Sequence, residues 1–129
     1  MQPAPSPTFN AGRSQLVWND LIYRYGLPAK LRQQGLQDRW ITAIVAQYSS
    51  LERQGMVSNP MDRKAVVSAI SPDTGGEVVP PPSEKDVYVR LKFDDQGVPS
   101  EEYLLKIVAP PRPVESNGKT LYWQLQVRR

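Results

Sequence analysis

The 129-residue sequence contains no cysteine and no histidine. Without cysteine there can be no disulfide staple, no thiolate nucleophile and no Cys-ligated zinc. Without histidine the commonest general base and the commonest transition-metal ligand are missing too. Catalysis would have to rest on Asp, Glu or Lys, and the sequence reads as non-enzymatic, with no catalytic residue, metal or cofactor expected. No apolar run approaches the roughly 20 residues of a spanning helix. Residues 1–13 also lack the charged start and apolar core of a signal peptide. The expectation is a soluble protein made inside the cell, with no membrane partner. Strong charge of one sign is lacking as well: 16 Lys and Arg face 13 Asp and Glu, for a net +3. That balance permits contact with nucleic acid without the dense basic patches that announce it.

Proline, by contrast, is abundant. Thirteen residues are about twice the usual share of roughly 5%. They cluster in the first seven residues, at Pro80–Pro82 and at Pro110–Pro113, where they favour extended arms and loops over packed structure. The chain length supports one domain with its own core. The expected organisation is therefore an N-terminal arm over 1–13 and a single domain over 14–129.

Ser14 is placed to cap a helix whose stripe is Val17, Trp18, Leu21, Ile22 and Tyr25, at helical spacing. Gly26 supplies a left-handed stop with Leu27 packed back on Ile22, and Pro28 bars continuation. Short strands follow. Residues 29–34 alternate weakly before the Gly35 turn, and residues 40–48 are apolar on both sides, as in a strand buried on both faces. A connection over 49–62 with a possible helical turn at 51–54 leads to a strand over 64–71. Val87, Val89, Leu91 and Phe93 then alternate inward, with Tyr88, Arg90 and Lys92 outward. A turn at 94–97 returns the chain as a partner strand over 101–108. Asn117-Gly118 is a type I′ turn signal ahead of a last strand. In it Leu121, Trp123, Leu125 and Val127 fall on one side and Tyr122, Gln124, Gln126 and Arg128 on the other. The fold class expected is mainly β: a small antiparallel barrel or sandwich with one N-terminal helix and long loops, the longest over 72–86.

Few residues carry recognisable chemistry. The carboxylate pairs Asp94-Asp95 and Glu101-Glu102 flank a hairpin turn and read as solvated turn residues. Gly75-Gly76 lacks the lysine and the strand-to-helix context of a phosphate loop. Tyr88, Arg90, Lys92, Tyr122 and Arg128, joined by Arg129 at the end of the last strand, combine cations with aromatic rings, a pattern that could hold single-stranded nucleic acid. A free-standing nucleic-acid-binding barrel led by the first five is one reading; the other is that they are the wet faces of amphipathic strands.

The order of motifs resembles a known family. A helix ending in Tyr25-Gly26-Leu27-Pro28-Ala29, a strand around Lys30 to Arg32, a loop-rich middle and a closing Lys119-Thr120-Leu121-Tyr122-Trp123-Gln124-Leu125-Gln126-Val127-Arg128-Arg129 are similar to small head-completion proteins of tailed bacteriophages. These are also called head-closure, stopper or connector proteins. The likeness spans Val17 to Arg129 in outline. It implies a small β-barrel acting as one subunit of a homo-oligomeric ring in the virion neck, made in the host cytoplasm. Such a ring would sit under a portal or adaptor protein, extend the channel for packaged double-stranded DNA, and offer a platform to a tail-terminator or tail-tube protein. An adaptor or tail-terminator role is the alternative within the same class. The resemblance makes the 72–86 loop the candidate channel loop, with Asp73, Thr74, Gly75, Gly76 and Glu77 at its tip and Glu84 and Lys85 beyond. It makes Pro3, Pro5, Pro7 and Phe9 in the arm, and Pro110, Pro111, Arg112 and Pro113 near the end, candidate docking segments. The loop is acidic, which suits a slippery lining or a protein contact better than a grip on phosphates.

Overall fold

A computed structural model describes residues 11–49 and 59–129. The arm residues 1–10, including Pro3, Pro5, Pro7 and Phe9, and the connection over 50–58 with its turn at 51–54 lie outside the described residues. One helix, α1 (Ala11–Tyr25), precedes seven strands: β1 (Leu27–Arg32), β2 (Arg39–Gln47), β3 (Arg63–Ser68), β4 (Val87–Phe93), β5 (Pro99–Ile107), β6 (Arg112–Ser116) and β7 (Lys119–Arg128). All pair antiparallel in the order β3-β2-β1-β4-β5-β7-β6, and β3 also pairs with β7. Six strands therefore curl into an irregular barrel, and β6 hangs from β7 outside it.

The barrel is sealed unevenly. β3 and β7 share six residue pairs, from Arg63–Val127 to Ser68–Tyr122, whereas β5 meets β7 only at Lys106–Arg128 and Ile107–Val127. Inside lie the apolar members of each strand's inner face: Leu31 from β1, Ile41 from β2, Val67 from β3, Leu105 from β5, and Leu125 and Val127 from β7. Val78 enters the same cluster from the 72–86 loop and plugs one end.

β4 corrects the expected facing. Tyr88 lies in the interior at 2% exposure, because it stands opposite Leu31 on one side and Leu105 on the other, both core residues. Val89 and Leu91 are buried too, on the opposite face. A strand paired on both sides near the middle of the sheet buries both of its faces, and sequence alternation alone cannot tell which face is the interior.

The helix starts at Ala11, so Ser14 sits inside it and is not its cap. Its buried stripe is Gln15 and Ile22, with Trp18 at 4.8 Å from Tyr122 by ring centroids and Asn19 bonded to Ser68. Gln15 donates to the Thr120 carbonyl at 2.8 Å and to Glu77 at 3.1 Å. Positions 15, 18, 19 and 22 have the same helical spacing as the expected apolar stripe. The helix covers sheet whose polar groups need partners, so the more polar stripe faces in. Val17, Leu21 and Tyr25 are left exposed.

Gly26 ends the helix for a reason other than the expected one. The left-handed glycines are Gly35, Gly75, Gly97 and Gly118; Gly26 is not among them. A Cβ on Gly26 would lie 2.5 Å from the Ala43 carbonyl oxygen and 2.6 Å from that of Ile22. The helix thus passes directly into β1 through a space only glycine fits, and Leu27 is exposed instead of packing back on Ile22. Asn117 and Gly118 take positive φ values of 50° and 79°, as the type I′ turn requires, and join β6 to β7 in a tight hairpin.

Gly26→Ala should lower the unfolding free energy by about 3 kcal/mol, because both neighbours are backbone atoms that cannot step aside. The midpoint of urea unfolding reads this directly. Burial pushes the Tyr88 hydroxyl from its ordinary 10.0 up to about 12, against a smaller opposing effect of the Arg90 charge. The folded chain then keeps a proton that the unfolded chain releases, so stability is level below the unfolded value and falls as pH rises through that interval. A drop of about 3 kcal/mol across the window should be present in the wild type and absent in Tyr88→Phe.

Candidate functional site

The inner-face stripe of several strands continues past the core toward one end of the barrel, and there its chemistry changes. On β4, Tyr88 is followed two residues on by Arg90 and then Lys92; on β5, Leu105 gives way to Tyr103 and Glu101; on β7, Val127 is followed by Arg129. On β3, Ala65 is preceded by Arg63, and on β1, Ala29 by Leu27. Because alternate residues share a face, the same parity that fills the core delivers four cations to one mouth.

The mouth is concave. A cleft of about 550 Å³ is lined by Leu27, Arg90, Lys92, Tyr103, Leu105 and Arg129 among others. A smaller one of about 330 Å³ shares Leu27 and Arg90 with it and adds Arg63, Tyr25 and Val45. The Arg129 guanidinium lies 5.6 Å from the Tyr103 ring centroid, and the Tyr103 hydroxyl donates to Glu101 at 2.5 Å. That bond to a carboxylate holds the Tyr103 proton on more tightly than usual. Arg63 donates to the carbonyls of Pro60 and Asp62, each at 3.0 Å, which orients it without neutralising its charge.

The five residues of the expected nucleic-acid face are not brought together. Tyr88 is inside the barrel, reaching the smaller cleft from within, while Arg90 and Lys92 line the mouth. Tyr122 is half-buried against Trp18 on the outer face. Arg128 is held by Asp62, at 2.6 Å from Nε to Oδ1 and 3.1 Å from Nη2 to Oδ2, and this contact strengthens its hold on its proton.

The 72–86 loop is tied down at several points. Val78 donates its amide to Ala69 at 2.8 Å and Ser71 to Gly76 at 2.7 Å. Farther on, Asp86 accepts from the Ser83 amide at 2.8 Å and from Gln33 at 3.1 Å. Asp73, Thr74, Gly75, Gly76 and Glu77 form an exposed tip, and Glu84 and Lys85 are exposed on the return. Pro110 is exposed and Pro111 half-buried, while Arg112 and Pro113 open β6 on the outside of the sheet. The carboxylates Asp94, Asp95, Glu101 and Glu102 remain at the β4–β5 hairpin. Among the described residues no group of three or more carboxylates could hold a metal ion, and no helix is long and apolar enough to cross a membrane.

Sequence reasoning missed Arg63 and Tyr103 at the mouth. Carrying the period-two count two residues beyond each apolar stretch would have found them. It also missed Asp62, which is fully buried yet ionic, accepting from Gln126 at 2.6 Å as well as from Arg128. No protein-family model matches this chain, and neither a curated protein nor a solved structure matches it.

Removing one partner of a buried ion pair strands the other. Asp62 is the buried partner and Arg128 is 40% exposed, so Arg128→Ala, which leaves the buried carboxylate without that cation, is accordingly expected to cost about 3 kcal/mol of stability, a loss chemical denaturation should register.

Proposed function

We propose that the chain is a structural, non-enzymatic subunit of a ring in the neck of a tailed bacteriophage, a head-to-tail connector of the head-closure kind. The observation that carries this reading is the outer surface of α1. The barrel fills its core without it, yet Leu16 and Tyr23 lie exposed along one flank, and Val17, Leu21 and Tyr25 along the other. Between them runs the ion pair of Asp20 with Arg24 at 3.1 Å. Apolar rows of this kind on a helix mark a surface that another protein covers. In a closed ring each copy would present the same surface to the same neighbour. The order of motifs along the chain supports the same class, as does an outlying β6 available for contacts away from the barrel.

In this reading the portal or adaptor protein lies on one side of the ring and the tail-terminator or tail-tube protein on the other, with packaged double-stranded DNA passing through. Lateral contacts would hold identical loop tips around one axis, and the arm and the segment around Pro110 to Pro113 would grip neighbouring rings. A free-standing nucleic-acid-binding barrel is the second reading, favoured by the cationic mouth alone.

Light scattering after size-exclusion chromatography over a concentration series tests the ring. The wild type should convert to a discrete closed oligomer, whereas Val17→Asp with Leu21→Asp should stay monomeric. Because both side chains are exposed, the urea midpoint of the pair should shift by no more than about 0.5 kcal/mol per site. A wild type that remains monomeric throughout, also when mixed with its neck partners, would overturn the reading.

A further inference from the structure

We propose that the barrel mouth formed by Arg63, Arg90, Lys92 and Arg129 is a binding site for the phosphate backbone of nucleic acid, engaged without reading base sequence. The inference rests on the ring reading only for the kind of nucleic acid met, double-stranded DNA; the site itself belongs to a single chain.

Five surface cations are matched with carboxylates: Arg24 with Asp20, Lys30 with Glu102, Arg32 with Asp38 and Glu102, Lys119 with Glu77, and Arg128 with Asp62. Exposed Lys85, Lys106 and Arg112 have no ion pair with a described residue but lie apart, on the 72–86 loop, β5 and β6, whereas the four cations of the mouth line adjoining clefts. Arg90 and Lys92 form no ion pair with any described residue, although Lys92 stands directly opposite Glu101 in the β4–β5 ladder. Among the described residues Arg63 meets only backbone carbonyls, and Arg129 faces a ring. Glu101, opposite Lys92, is engaged by the Tyr103 hydroxyl. Several unneutralised charges around one concavity raise the local concentration of anions, and guanidinium groups match phosphate geometry well.

The aromatic group at the site narrows the mode of contact. A ring that stacks bases must offer a free face. Tyr103 has a guanidinium over its ring and its hydroxyl fixed, so it orients Arg129 toward the cleft instead of receiving a base. Leu27 and Leu105 supply an apolar floor that carries no competing negative charge. The result is a phosphate cradle with no means of distinguishing sequences, which is suited to DNA that must pass.

The test is fluorescence anisotropy with a labelled DNA duplex over a salt series, set beside a variant combining Arg90→Gln, Lys92→Gln and Arg129→Gln. A second variant, Lys85→Gln, Lys106→Gln and Arg112→Gln, removes the same charge from exposed positions elsewhere. The wild type should bind at low salt with a log–log slope of about −3, as expected for three or four neutralised phosphates. The mouth variant should lose about tenfold or more and most of that slope, while the second variant stays within about threefold. Two duplexes of unrelated sequence should bind alike. Circular dichroism of both variants confirms that they fold. No binding by the wild type at low salt, equal losses in the two variants, or stronger competition by polyglutamate than by unlabelled duplex would each overturn the proposal. Oligomeric state read in the same samples separates the outcomes. Rings that ignore DNA sink this inference alone, and DNA binding by a permanent monomer sinks the ring alone.

Discussion

Everything in this structure depends on β7 being shared. It pairs with β3 along six residues, with β6 along its first half and with β5 at its last two pairs, so a single strand closes the barrel and carries the hairpin outside it. An open sheet of this size would expose an edge and leave its inner face half wet. The β3–β7 ladder removes that edge and brings Ala65 and Val67 over Leu125 and Trp123. The Asp62 clamp fixes the same seam from outside, tying the start of β3 to Gln126 and Arg128. Closure and clamp also set the level at which the inner faces run out of apolar residues, and so where the cations emerge.

Much of the architecture was legible because strands write their burial in period two. β7 reads directly from Leu121, Trp123, Leu125 and Val127, and the β6–β7 turn from Asn117-Gly118. The barrel-like, mainly antiparallel fold with one helix follows from elements of that kind. What escaped was facing. Tyr88, Val89 and Leu91 are all buried, so the alternation in β4 carries no mark of which side is interior. On α1 two stripes satisfy helical spacing, and the more polar one is buried because the sheet beneath it offers the Thr120 carbonyl and Ser68 as partners. Hydrophobicity alone favours the wrong stripe.

The mouth was half legible for a related reason. Arg90 and Lys92 were singled out as cations beside aromatic groups, but they were grouped with Tyr122 and Arg128, which the pleat sends to the outer face. A period-two count marks Arg63 and Tyr103 each on its own strand, but those strands and the end of β7 at Arg129 meet only through tertiary pairing, so the count alone does not bring them to one place. The reason for Gly26 was equally hidden. Its role comes from the approach of Ala43, a residue on another strand, and only the assembled backbone reveals it.

The dual pairing of β7 has one more consequence. The bond between Asp62 and Gln126 spans 64 residues, whereas β4 and β5 join across a short turn. Local hairpins form cheaply, and the long closure carries the larger entropic cost. Until that closure is made, β3 offers an unmatched edge that any copy of β7 fits equally well. Intramolecular sealing thus competes with exchange of the β6–β7 hairpin between chains, a competition that higher chain concentration shifts toward exchange by mass action.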